Sequence, residues 1–126
     1  MKKIMIADDS MAVRIEIIKV LRPHGYTVIE AVDGLDALEK ARHHEDIKLF
    51  LLDYNMPHLD GLSVAKEIRK LDAFKSVPMA MLTTETSSLL KEQAKSYGVS
   101  IWIVKPINAA AFLMMAEQFT GGSKAK

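Results

Sequence analysis

Short apolar runs alternate along this chain with longer stretches in which apolar residues recur every three or four positions. The short runs have the length of buried strands, and the longer stretches have the period of helices with one inward face. Five of each in alternation predicts parallel strands joined by crossover helices, an α/β fold with a single sheet. The strands are expected near Ile4 to Asp8, Thr27 to Ala31, Lys48 to Asp53, Pro78 to Thr83 and Trp102 to Lys105. Ser10 should cap the first helix, which aligns Val13, Ile17, Val20 and Leu21 and stops at Pro23 and Gly25. The second helix opens at Asp33-Gly34 with Leu35, Leu38 and Ala41 inward, and the third follows Asp60 with Ala65, Ile68 and Leu71 inward. The fourth carries Leu90, Ala94 and Tyr97 and ends at Gly98, while the fifth follows Asn108 with Phe112, Met115, Ala116 and Phe119 at helical spacing.

Three of the apolar runs end at a charge. Ile4-Met5-Ile6-Ala7 leads into Asp8-Asp9, Leu49-Phe50-Leu51-Leu52 into Asp53, and Ile101-Trp102-Ile103-Val104 into Lys105-Pro106. In an open α/β sheet the carboxyl ends of the strands form the rim where ligands bind, so three carboxylates and one ammonium are expected to converge there. Like charges that close raise one another's pKa, and a cation is needed to hold them ionised. A divalent metal fits that need.

Composition narrows the setting. A chain of 126 residues is one domain with its own core. No apolar stretch approaches the ~20 residues of a membrane span, and the run after Met1-Lys2-Lys3 meets Asp8 too early for a secretory signal, so a cytoplasmic protein is expected. The absence of cysteine excludes disulfides, thiol catalysis and thiolate metal sites. A net charge of +1 gives no reason to expect nucleic-acid binding.

The motifs Asp8-Asp9-Ser10, Asp53-Tyr54-Asn55-Met56-Pro57, Thr83-Thr84-Glu85 and Lys105-Pro106, each at a strand end and in this order, resemble the receiver domain of two-component response regulators. The resemblance implies a flavodoxin-like, doubly wound sheet of order 2-1-3-4-5 with five helices, a receiver domain over residues 1–120 and a flexible tail at 121–126. It implies Asp53 as phospho-acceptor from a histidine kinase, with Lys105 and Thr83 contacting the phosphoryl group. Mg²⁺ would be held by Asp9, Asp53 and the main-chain carbonyl of Asn55, with Asp8 acting largely through water. The residue three before the lysine, Trp102, would move from outward to inward on phosphorylation, and Lys105-Pro106 would be a cis bond. A protein without an output domain must act through a partner. The Thr83-Thr84-Glu85 run and Trp102 most resemble single-domain chemotaxis regulators of the CheY type, whose target is the flagellar motor switch. The matching partner face comprises Lys91, Lys95, Trp102, Val104 and Met115, on a protein expected to be a monomer and a signalling phospho-acceptor rather than an enzyme in the usual sense.

Plainer readings stand beside these. Asp8 or Asp9 could serve only to cap the first helix, Thr83 could be an ordinary strand residue, and Lys105 a solvated charge. The eight methionines read as core filler, and His24, His43, His44 and His58 share no metal-ligand spacing. A phosphorelay intermediate or phosphate sink would use the same site. A haloacid-dehalogenase phosphatase wants a second Asp two residues after the nucleophile, where this chain has Asn55, and a flavin-phosphate loop is opposed by Asp8-Asp9.

Overall fold

The computed structural model describes residues 2–121, so the expected flexible tail beyond Gly121 lies outside the described residues. The strands are β1 (Lys3–Ala7), β2 (Thr27–Ala31), β3 (Ile47–Asp53), β4 (Met79–Thr83) and β5 (Val99–Val104). Each is followed by a helix: α1 (Met11–Leu21), α2 (Gly34–His43), α3 (Gly61–Arg69), α4 (Ser88–Ser96) and α5 (Ala109–Thr120). The strands are parallel throughout and lie in the order β2-β1-β3-β4-β5, the doubly wound arrangement expected.

Two cores follow from the alternation of side chains along each strand. Leu49 and Leu51 of β3 pack with Ile4, Ile6, Ile17, Leu21, Phe112 and Ala116, which places α1 and α5 on one face. Phe50 and Leu52 pack with Met5, Leu38, Val64, Ile68 and Ala94, which places α2, α3 and α4 on the other. Covering both faces is why the central strands read as continuous apolar runs. Met5, Met79 and Met81 belong to this interior, as filler. The helix starts use the expected caps: the side chains of Ser10, Asp33, Asp60 and Asn108 accept from Val13, Asp36, Ser63 and Ala111 main-chain N–H groups.

Several expectations are corrected. The fifth strand begins at Val99, not Trp102, and stops at Val104; it is an edge strand whose half-buried residues and polar Ser100 blur the apolar signal. Leu35 is exposed, because α2 turns Gly34, Ala37, Leu38 and Ala41 inward. Gly34 approaches Leu59 so closely that a Cβ would sit 2.6 Å from its carbonyl oxygen, and this contact sets the roll of the helix. Leu71 falls beyond the end of α3 and is half-buried. Phe119 lies on the exposed margin of α5, and Thr120 takes the inward place, 3.0 Å from the Tyr26 hydroxyl.

Candidate functional site

Strand register assembles the rim. Ala7 of β1 is level with Leu52 of β3, so Asp8 and Asp53, one residue further on, come side by side. Asp53 is level with Leu82, and Thr83 with Val104, so Thr83 and Lys105 follow on the next two strands. The Lys105 N–H donates to the Thr83 carbonyl at 2.9 Å and fixes that last step.

Asp8 is fully buried, Asp53 is 4% exposed, and Asp9 is exposed. Carboxylate oxygens of the three lie within 4.8 Å of one another. Lys105 Nζ stands 3.1 Å from Asp8 Oδ2 and 3.1 Å from Asp53 Oδ1. The second oxygen of Asp8 accepts from the Ser10 N–H at 2.8 Å. Lys105-Pro106 is cis, as expected. Gly61, the first residue of α3, lies so near the end of β3 that a Cβ would meet the Asp53 carbonyl oxygen at 2.5 Å.

Burial, and secondarily the charge of Asp8, pushes the Asp53 carboxyl up to about 6, against the opposing pull of Lys105 and the Asn55 N–H. Burial alone would lower the Lys105 ammonium, but its hydrogen bonds to Asp8 and Asp53 outweigh that and hold it above its ordinary value. With all groups ionised, three carboxylates against one ammonium leave a formal charge of −2 over clustered oxygen donors. That donor set fits a hard divalent cation such as Mg²⁺, with Asp8, Asp9 and Asp53 able to hold it.

Arg14 is a residue the sequence reading missed. It is buried, donates from Nη1 to the Asp8 carbonyl at 2.7 Å and from Nε to Glu30 at 3.1 Å, and so anchors the acidic turn. Its spacing from Ile17 and Leu21, on the inward stripe of α1, is the signal that could have found it.

Thr83 is buried, and its Oγ1 accepts from the Glu85 N–H at 2.9 Å. Trp102 Nε1 donates to the Glu85 carbonyl at 3.1 Å, so the main chain of one residue, Glu85, bridges Thr83 and the indole. The indole is half-buried, with Lys91 Nζ 5.9 Å from its ring centre, and is not simply outward. Trp102, Val104 and Met115 share the lining of a cavity of about 320 Å³ with Ile107 and Phe112. Lys95 is not among them; it lines a separate basic groove. A second cavity of about 280 Å³, lined by Val13, Glu16, Thr84 and Ile107, opens beside Lys105.

A doubly wound sheet that gathers acidic residues, a threonine and a lysine on its carboxyl rim has the arrangement of a phospho-accepting domain. The family model described as the response regulator receiver domain matches residues 4–117, and the chain belongs to that family. Chemotaxis protein CheY1 of Helicobacter pylori is 38% identical over 105 residues, covering 82% of this chain and 85% of that protein. The solved structure of CheY4 from Vibrio cholerae is 35% identical with a TM-score of 0.90, covering 94% of this chain and 98% of that one. A CheX–CheY complex with BeF₃ and magnesium from Borrelia burgdorferi is 26% identical with a TM-score of 0.86, covering 93% of this chain and 87% of that one. No helix among the described residues is long and apolar enough to cross a membrane.

Proposed function

We propose that Asp53 is the phospho-acceptor of a chemotaxis regulator, phosphorylated by a histidine kinase and read by a protein partner. The observation that carries this is the pairing of one Lys105 ammonium with both Asp8 and Asp53 at the sheet rim. A carboxylate oxygen of Asp53 attacks phosphorus, a P–O bond forms, and the P–N bond of the donor phosphohistidine breaks with its electron pair leaving on nitrogen. Phosphoryl transfer depends mostly on positioning and charge neutralisation. Lys105, within 3.1 Å of Asp53 Oδ1 and of Asp8 Oδ2, holds the two carboxylates together and is in reach of phosphoryl oxygens. Asp8, Asp9 and Asp53, with the Asn55 carbonyl, would hold a divalent cation, which would supply the remaining neutralisation.

The signal leaves through Thr83. Its hydroxyl turning toward the phosphoryl group pulls the Glu85 peptide, and the Glu85 carbonyl pulls Trp102. The cavity lined by Trp102, Val104 and Met115, with Lys91 beside it, then changes shape, which suits docking of a motor-switch segment. Such a change is a shift between two states of one loop. The relatives of this chain named as chemotaxis proteins support that output.

Intact-mass spectrometry after incubation with acetyl phosphate and Mg²⁺ tests the acceptor. One phosphoryl adduct is expected on the wild type and none with chelator or in Asp53→Ala; undiminished incorporation in Asp53→Ala would overturn the assignment. Capture of partners by the BeF₃-loaded protein tests the output, and recovery of only histidine-phosphotransfer proteins would favour a relay.

A further inference from the structure

The opposite end of the sheet carries a concentration of positive charge that the phosphoryl chemistry does not use. Where α3 and α4 end, Lys66, Arg69, Lys70, Lys75 and Lys95, with Tyr97, line an open groove of about 520 Å³. Gly98, also in its lining, precedes β5, whereas Lys105 follows it, so the groove and the acidic rim are separated by the length of that six-residue strand, roughly 20 Å.

Five cations line this groove, yet the entire chain has a net charge of only +1. Among the described residues only Lys70 of the five has a carboxylate partner, Glu67 at 3.0 Å. The Arg69 guanidinium is spent on the Phe74, Val77 and Gly98 carbonyls, at 2.8, 2.7 and 2.7 Å, so it ties three chain segments together while its charge stays unneutralised. Lys66 lies 5.9 Å from the Tyr97 ring centre, and Lys75 reaches the Lys70 carbonyl at 3.3 Å. Basic residues at helix ends complement the helix dipole, which offers one reason for their presence. Two helix carboxyl ends supply only about −0.5 charge each, so with Glu67 counted a surplus of about three positive charges is left.

We propose that this groove docks an acidic peptide segment of a protein partner, independently of the phosphorylation-sensitive face. The groove is open to solvent, unlike the enclosed sites that bury most of a small ligand. Its charge comes mainly from exposed lysines, flexible point charges suited to a spread of carboxylates rather than to one planar group. It presents no cluster of exposed apolar side chains to insert among lipids. A partner held here leaves Asp53 and the Trp102 face free, so one molecule can be tethered and read at once. Tethering of this kind raises the local concentration of a kinase or target without altering the chemistry.

The test is fluorescence anisotropy with a labelled glutamate-rich peptide of about ten residues, at about 50 mM and about 300 mM salt, with amide chemical-shift mapping. Binding is expected at low salt, to fade at high salt, and to shift amides in residues 66–75 and 95–98 but not around Asp53. Lys66→Gln/Lys70→Gln/Lys75→Gln should weaken it about tenfold, and Lys66→Gln alone less, while acetyl phosphate still labels Asp53. All three lysines are exposed, and Arg69 is left in place, so the fold is kept. Equal binding by wild type and triple variant, shifts centred elsewhere, or no binding at low salt would overturn the proposal. So would selective capture of inorganic triphosphate or phosphatidylserine vesicles with no peptide binding.

Discussion

Neutralising the Asp53 carboxylate should stabilise the metal-free protein, and the size of the gain should follow pH. The Asp53 carboxyl titrates near 6 in the fold against 3.8 in the open chain. Well below 3.8 it is protonated in both states and costs the fold nothing. As pH rises from there the unfolded chain ionises first, and native stability falls until about 6, above which the penalty is constant. At about 1.4 kcal/mol per pH unit, holding the proton over that interval amounts to at most about 3 kcal/mol. Asp53 is itself buried but lies at the rim beside exposed Asp9 and Asn55, and screening by the nearby water reduces this to about 1–2 kcal/mol. Asp53→Asn keeps the shape and an oxygen that can accept from Lys105, so little packing is lost. Urea denaturation in chelator should therefore give a mutant midpoint higher by about 0.5–1 M at pH 7.5, with the difference closing toward pH 4. Saturating Mg²⁺ should shrink or invert the gap, because the ion binds the folded wild type more tightly. A difference independent of pH, or a mutant less stable at pH 7.5 without metal, would refute the assignment of the strain to Asp53.

Two further outcomes follow from the same geometry. Trp102 is the sole tryptophan, and BeF₃ with Mg²⁺ should shift its emission modestly to the blue in the wild type but not in Thr83→Ala; an unchanged wild-type spectrum despite demonstrated BeF₃ binding would make the indole a static part of the surface. Gly61→Ala would drive a methyl to 2.5 Å from the Asp53 carbonyl oxygen and 2.6 Å from Met81 Sδ, so thermal melts should register a loss of about 2 kcal/mol or more.

The fold was legible because its central strands are buried on both faces, so burial and sequence pattern coincide in runs such as Leu49 to Leu52. At the margins they part. Val99 and Ser100 belong to an edge strand, where one side has no neighbour to demand apolar residues, and the start of β5 was lost. Leu35 and Phe119 were placed by helical spacing, but α2 approaches through Gly34 and Ala37, and α5 turns Thr120 toward Tyr26. The acidic rim was visible because Asp8, Asp53 and Lys105 each end an apolar run. Arg14 was hidden for the converse reason: it lies within a helix, and only its partners, the Asp8 carbonyl and Glu30, explain a charge on the buried stripe. The bridge from Thr83 to Trp102 runs through the main chain of Glu85, which no pattern of side chains announces.

The close contact of Gly61 with the Asp53 carbonyl has a mechanical consequence. On that flank, Gly61 N–H also bonds the Tyr54 carbonyl at 2.9 Å, and Tyr54 N–H bonds the Leu82 carbonyl at 2.9 Å, so the backbone at Asp53 is braced between α3 and β4. On the other flank, the residues after Thr83 are exposed and the Thr83 hydroxyl is tied only two residues along. A group bound at Asp53 would therefore find β3 backed by α3 and β4, with the exposed segment between β4 and α4 on its freer side.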